Sequence, residues 1–408
     1  MSSSVRNGVW RPEDRAASIY QYLPVEIDPG QHALRVELAY DRSAGVLDLG
    51  CLDPTGAFRG WSGGARDEFT IAETWSTPGY LPGPLPAGHW QVMLGLHRIP
   101  ADGMPWQVTV STSPEPGPAP EAAAPLAPWP ERPARPGPPL PAPPGYRWLA
   151  GDLHAHSVHS DGSLTVSELA RLAVSNGLDF LAVTDHNTVS HHPWLPDESG
   201  IVLLPGQEVT TTRGHANAYG DIGWVDFRLP AEEWLSIVDD RGGLMSINHP
   251  LAADMAWMHP LHGRPRLVEV WHSGWRDRTW GAPLSWLLAF DPDALPVGGS
   301  DFHSPSDGGP LGSPTTWVLC PVGDPREATV GVLLDALRTG PVAIGESPQG
   351  PALLRLGDEL VAVGADGTLL TDFTGQRRRV IGDRVTFPAM PGPHWLEDER
   401  TQVLAIAG

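Results

Sequence analysis

The stretch Gly151-Asp152-Leu153-His154-Ala155-His156-Ser157-Val158-His159-Ser160-Asp161-Gly162 places three histidines and two aspartates within a dozen residues. An H-x-H pair on extended backbone points both imidazoles to one face, because side chains alternate with period two. Two neutral imidazoles converging on one point suit a divalent transition metal. The competing reading is a solvated His-rich loop, and the residues downstream decide between them. Further chemistry-bearing side chains follow as Asp185-His186, Glu208, His215, His249, Asp301 and His303. Mixed imidazole and carboxylate ligands suit Zn, Mn or Fe better than Ca or Mg. A carboxylate shared by two such ions would hold them close enough to activate one water as a nucleophile. His303 or His249 could then protonate a leaving group, while Asp185 is expected to orient its neighbours.

The elements that must position these groups read as strand-then-helix units between about 146 and 345. Thr165 to Asn176 predicts a helix, with Leu169, Leu172 and Ala173 on one face and Gly177 as its stop. Ala231–Arg241, Pro283–Phe290 and a segment from about Arg326 to Thr339 predict three more. Apolar runs at 179–184, 201–204, 244–247, 267–271 and 295–299 predict buried strands; a polar residue follows each except 201–204, which ends near Glu208. In β/α barrels the residues at the carboxyl ends of the strands share one pocket, so groups scattered along the sequence would meet there.

The flanks read differently. Residues 1–112 carry short strands separated by Pro/Gly turns, as in a small β-sandwich. Gly60-Trp61-Ser62-Gly63-Gly64 matches a nucleophile-elbow pattern, but no helix pattern follows it, so a structural serine is expected. Residues 113–145 are a Pro-rich linker of extended character, which would isolate the β domain from the chemistry; Trp129 could dock it. Residues 346–408 predict a small β appendage, with Arg377-Arg378-Arg379 as a solvated charge run.

At this point the chain resembles the polymerase and histidinol phosphatase (PHP) family. The motifs are Asp152-Leu153-His154-Ala155-His156 with Ser160-Asp161-Gly162, Thr184-Asp185-His186-Asn187, and Pro205-Gly206-Gln207-Glu208-Val209-Thr210 with Gly214-His215. Asn248-His249-Pro250 and Gly299-Ser300-Asp301-Phe302-His303 complete the set. The wording around Glu208 is most similar to the branch that includes carbaryl hydrolases. The resemblance covers 146–345 and implies a distorted (βα)7 TIM-like barrel in an α/β chain, holding two or three divalent metal ions. It implies that His154, His156, Glu208 and Asp301 hold one ion. Glu208, His215 and His249 would hold a second, with Glu208 bridging, and Asp161, His186 and His303 a third. His159 would stand outside this set.

The implied activity is metal-dependent ester hydrolysis, with a phosphoester as the leading substrate class and a carbamate or carboxylic ester as the alternative. A reading of another class, a non-catalytic metal- or carbohydrate-binding protein, has no use for a bridged ligand set. A phosphoryl substrate calls for a cationic clamp, and Arg213, Arg276 and Arg278 are the candidates, Arg213 first. Trp271 and Trp275 are the better pocket candidates among Trp194, Trp224, Trp257, Trp271, Trp275, Trp280 and Trp286. His191-His192, His259 and His262 are expected on the surface or rim.

Composition narrows the partners. The formal net charge is −21, every cation is Arg, and there is no lysine. Such a balance argues against a nucleic-acid backbone binder and favours a small-molecule substrate. Two cysteines, Cys51 and Cys320, build no disulfide framework and fit a reducing compartment. With no signal-like segment and no long apolar run, the expectation is cytoplasmic, with no membrane span. Oligomeric state is left open.

Overall fold

The computed structural model describes residues 2–115, 117, 128–136, 139–197, 199–279 and 281–408. The central part of the expected linker, 118–127, and Trp280 therefore lie outside the described residues. The chain forms two compact units. The first comprises residues 1–127 together with 158–161 and 186–193; the second comprises 128–157, 162–185 and 194–408.

The first unit holds β1 (Ser2–Trp10), α1 (Pro12–Ala17), β2 (Tyr20–Ile27), β3 (Ala33–Tyr40) and β4 (Val46–Leu52). It continues with β5 (Phe58–Gly63), β6 (Glu68–Ala72), β7 (Gly88–Arg98) and β8 (Met104–Ser113). They make two four-stranded antiparallel sheets, ordered β1-β8-β3-β6 and β2-β7-β4-β5. Strand β8 shows why: Met104, Trp106, Val108 and Val110 alternate inward, and its intervening residues are less buried. They join Leu34, Val36, Leu47, Leu49, Val92 and Leu94 in one apolar core. Ser62 of the elbow-like sequence is buried on β5, its hydroxyl 3.0 Å from the Tyr80 hydroxyl, as a structural serine should be.

The second unit is mixed α/β. Its main sheet uses β9 (Arg147–Asp152), β10 (Phe180–Val183), β11 (Val202–Thr211), β12 (Gly214–Tyr219) and β13 (Leu244–Ile247). Next come β14 (Leu267–Trp271), β15 (Leu295–Gly298), β16 (Thr315–Cys320) and β17 (Val342–Gly345). The order β15-β14-β13-β12-β11-β10-β9-β16-β17 mixes parallel pairs with antiparallel ones around β12 and β16. Thr316 on β16 links to the far edge strand, accepting from Gly298 N at 2.8 Å and donating to Gly298 O at 2.7 Å.

Four helices serve this sheet: α2 (Val166–Ser175), α3 (Ala231–Asp240), α4 (Ala282–Phe290) and α5 (Val330–Thr339). Helix α2 starts where the sequence predicts it, because Thr165 and Glu168 form a reciprocal capping box. It stops at Gly177, which takes φ +88°. The segment from Arg326 does not form one helix. A short 3-10 turn (Pro325–Glu327) comes first, and Thr329, extended at φ −125°, caps α5.

The C-terminal strands are β18 (Ala352–Leu356), β19 (Glu359–Val363), β20 (Leu369–Asp372), β21 (Arg377–Arg379), β22 (Arg384–Pro388), β23 (His394–Glu397) and β24 (Val403–Ala407). Four of them extend the main sheet, through β17-β24-β23-β20-β21. The C-terminal β region is thus continuous with the main sheet. The three arginines of β21 are exposed, as expected of a solvated run, and Arg377 pairs with Glu397 at 2.8 Å. Trp129 packs on the α2 cluster, with the Arg171 guanidinium 4.5 Å from its ring centroid. Among the described residues no helix is long and apolar enough to cross a membrane.

Candidate metal centre

His154 and His156 follow the end of β9, and Asp301 follows the end of β15. Backbone bonds tie these two segments together: Asp301 N donates to His154 O at 3.0 Å, and His156 N to Phe302 O at 2.9 Å. Glu208 lies within β11, and His215 stands near the start of the antiparallel partner β12, opposite Thr210. His249 comes two residues after β13. The expectation that every such group terminates a strand is therefore corrected for Glu208 and His215. An antiparallel hairpin interrupts the strand-helix alternation, and its pairing makes the two residues diagonal neighbours on one face.

The side chains converge on Glu208. Its Oε1 lies 3.3 Å from His154 Nε2, 3.1 Å from His215 Nδ1 and 3.4 Å from His249 Nε2, and its Oε2 lies 3.7 Å from His156 Nε2. Asp301 Oδ1 is 3.2 Å from His154 Nε2 and 3.1 Å from His156 Nε2. His154, His156 and Glu208 each offer a ligand atom within one ion's reach, and so do His154, His249 and Glu269. Glu208, His154, His156 and His249 are almost wholly buried.

Electrostatics point the same way. Burial is the largest influence on His154 and lowers its affinity for a proton. Glu269, Glu208 and Asp301 together outweigh burial and hold the imidazole well above its usual pKa. His249 is raised against burial in the same manner, chiefly by Glu208. Burial raises Asp301, but His154 and His156 pull it well below the usual carboxylate range. The buried Glu208 and Glu269 carboxylates and the partly buried Asp301 draw protons onto the imidazoles, and a divalent ion would supply that charge instead. His154 Nε2 makes no hydrogen bond although two carboxylate oxygens stand 3.2 and 3.3 Å away. A buried nitrogen lone pair aimed at converging carboxylates is what a metal ligand requires.

Two ligand positions carry backbone strain. His249 has φ +26° and Asp301 φ +54°, where non-glycine residues are uncommon. Such strain persists when the surrounding structure dictates it, and it concentrates at functional sites.

Sequence reasoning missed Glu269 as part of the site, and it gave Asn248 and Asp152, though both stand in the motifs, no role of their own. Glu269 Oε2 accepts from His154 Nδ1 at 2.8 Å, with both groups buried. This fixes the tautomer that leaves Nε2 available to a metal. A lone acid inside the apolar strand Leu267-Val268-Glu269-Val270-Trp271 was the available signal, since a buried carboxylate demands a partner. Asn248 Nδ2 donates to Glu208 Oε1 at 2.9 Å. Asp152 accepts from Ser300 N at 2.9 Å, Gly312 N at 2.7 Å and His154 N at 3.1 Å. Gly299 is needed beside them: a Cβ there would lie 2.5 Å from both Glu269 Oε2 and His154 Cβ. Asp185 accepts from Ser157 N at 2.8 Å and Ser157 Oγ at 2.7 Å, an orienting role.

Of the expected third set, Asp161 and His186 lie in the first unit, with Nε2 to Oδ1 at 3.6 Å. His303 stacks on His156 in the second, ring centroids 4.1 Å apart, and its Nδ1 donates to Asp301 O at 2.9 Å. The first unit grips the segments bearing Asp161 and His186. Arg66 donates to Ser160 O at 2.8 Å and to Val158 O, Gly79 N donates to Ser190 Oγ at 3.0 Å, and Thr188 Oγ1 donates to Gly79 O at 3.0 Å. Asp48 on β4 is pushed up to about 7 by burial, with His186 pulling the other way. The expectation that the linker isolates the β domain from these residues is corrected: the domain packs on the loops that carry them. His159 belongs to this packing, its Nδ1 2.8 Å from Ser190 Oγ.

Arg213 is exposed and donates to Met258 O at 2.8 Å. Arg278 is bound to Val403 O at 2.8 Å and Glu346 at 2.5 Å, and stands over Trp271. Trp271 and Trp275 are buried and meet edge to face. Trp275 lines a cavity that opens beside His249. His191 is fully buried, against the expectation of a rim position.

No family model matches the chain. A 5'-3' exoribonuclease from Haemophilus influenzae is 40% identical over 63 residues, 15% of this chain and 23% of that enzyme. The chain thus spans under a quarter of that relative's length. Among solved structures, a Bacteroides vulgatus two-domain protein "containing predicted PHP-like metal-dependent phosphoesterase" aligns with TM-score 0.41 and 18% identity. It covers 68% of this chain and 90% of that one. An amidohydrolase from Chromobacterium violaceum aligns with TM-score 0.32 and 16% identity, over 46% and 96% of the respective chains.

Proposed function

We propose that this chain is a metal-dependent hydrolase of the PHP type, with a small-molecule phosphoester as its substrate. The single observation that carries the reading is the Glu208 carboxylate facing four imidazoles at 3.1–3.7 Å. An oxygen pair so surrounded suits a bridge between two ions. His154, His156, Glu208 and Asp301 would hold one, and Glu208, His215 and His249 the second. By the family resemblance Asp161, His186 and His303 would take a third. Zn, Mn or Fe fits this nitrogen-rich set. When bound, such ions supply Lewis-acid activation of water and stabilise charge developing on the ester.

The chain's own groups have definable roles. Glu269 orients His154, and Asn248 holds one Glu208 oxygen. The bond from His303 Nδ1 to Asp301 O fixes the proton on Nδ1 and leaves Nε2 as the nitrogen that would bind the third ion; only without that ion could Nε2 take a proton and donate it to a leaving group. Arg213 would serve a phosphoryl oxygen by giving up its bond to Met258 O. The closed-up (βα)7 barrel is the fold reading that best suits the link between β15 and β16 through Thr316.

The exoribonuclease relative acts on RNA by its name. For this chain a net charge of −21 with no lysine favours a smaller ester. The second reading, a carbamate or carboxylic ester hydrolase, is favoured by the engagement of Arg278 and Arg213 with backbone carbonyls. Metal-replete protein tested on aryl phosphates, bis-aryl phosphates and aryl carboxyl esters separates them. Faster phosphate turnover supports the first reading. Faster carboxyl-ester turnover overturns it in favour of the second. Turnover of none in metal-loaded protein overturns both.

A further inference from the structure

We propose that the cavity beside His249 binds a neutral aromatic group, the leaving group of the ester that the centre hydrolyses. The assignment of that group to a leaving group rests on the hydrolase reading above. The cavity has a volume of about 430 Å³, within the range of small-molecule sites. Its inner end is His249 and Glu269, both parts of the candidate metal centre, with His272 beside them. Its walls are apolar: Leu251, Met255, Val270, Trp275 and Pro283 are among them.

The wall and the centre are one piece of chain. His249 turns at φ +26°, Pro250 follows, and the short 3-10 turn Ala253–Met255 carries the lining onward. A molecule seated there lies against the His249 imidazole, which would hold the second ion. Leu251 and Met255 are among the exposed large hydrophobic side chains, at 46% and 36%. Covering them removes apolar surface from water. A flexible thioether at the mouth adapts to ring shape and contacts aromatic edges favourably.

The lining also selects charge. Beyond His249, Glu269 and His272 at the centre, its lining carries no ionisable side chain, so a charged substituent among the walls would lose water without gaining a counter-charge. A neutral ring meets no such penalty.

The test uses the full-length protein, with isothermal calorimetry of 2-naphthol as the neutral probe and 2-naphthoate as its anionic counterpart. Two variants fill or charge the cavity at positions that hold no candidate ligand: Ala282→Trp, at the exposed start of α4, and Met255→Asp, at the end of the 3-10 turn. The expected result is 2-naphthol binding that both variants weaken at least about tenfold, about 1.4 kcal/mol, with metal content unchanged and with 2-naphthoate binding more weakly. In turnover, KM for naphthyl esters should rise in both variants while methyl esters are unaffected. Absence of 2-naphthol binding, binding indifferent to both variants, or preference for 2-naphthoate overturns the proposal. Binding that is lost in the variants of a protein inert to all esters refutes the hydrolase reading and upholds the cavity as a neutral aromatic site.

Discussion

Replacing Glu269 by Gln removes one negative charge while keeping the shape that accepts from His154 Nδ1. In the parent that contact is 2.8 Å, with both groups buried. A hydrogen bond to a charged group contributes about 1.5–3 kcal/mol, and each 1.4 kcal/mol is about a factor of ten in affinity. Glu269→Gln should therefore weaken the tightest metal site roughly 10- to 100-fold, the range usual for carboxylates that support a ligating histidine. The metal-free protein should behave differently. Burial holds the Glu269 carboxyl above its ordinary pKa, against the pull of His154, so removing the charge there also removes a desolvation cost. The assay is competition of Zn(II) against a chromophoric chelator for the affinity, with urea unfolding of the metal-free protein alongside. An unchanged Zn(II) affinity would refute the claim that Glu269 tunes His154. A large loss of metal-free stability would show instead that Glu269 is mainly a structural partner.

Glu208→Gln should weaken two sites together, read as loss of two ions in a metal titration, because one carboxylate faces all four imidazoles. Gly299→Ala should destabilise the fold by about 1–3 kcal/mol through overpacking, since its Cβ would meet Glu269 and His154 at 2.5 Å; chemical denaturation measures it. Arg66→Ala should raise amide exchange in 158–161, because Arg66 holds Ser160 O and Val158 O; unchanged exchange there would count against a grip by the β domain. His259 is lowered to about 4, by burial first and the Arg213 charge next. Between about 6.5 and 4 the unfolded chain binds a proton that the folded one refuses, so stability falls as pH falls through that window. His259→Gln should flatten that fall, measured by urea unfolding at a series of pH values.

Much of the site could be read from residue types in order. The segments 152–161, 205–215, 248–250 and 299–303 supply the whole set around Glu208, because metal ligands need particular side chains at particular spacings. Helix α2 was equally readable from Thr165, Glu168 and Gly177, whose roles are local. The β11–β12 hairpin was not, since its pairing depends on partners distant in sequence and its residues lack a turn signature beyond Arg213-Gly214. Glu269 was hidden because a strand pattern weighs apolar neighbours, and its partner His154 lies 115 positions away. The inclusion of 158–161 and 186–193 in the first unit was hidden for a related reason. It rests on Arg66, Gly79 and backbone carbonyls, which carry no motif, and the Pro-rich stretch suggested separation instead.

The central claim is that Glu208 anchors a cluster of metal ions, and elemental analysis of the full-length protein tests it most directly. After repletion and removal of free metal, the account predicts about two to three transition-metal ions per chain, falling by about two in Glu208→Gln. Less than one ion per chain in the folded parent, or equal content in parent and variant, would contradict it.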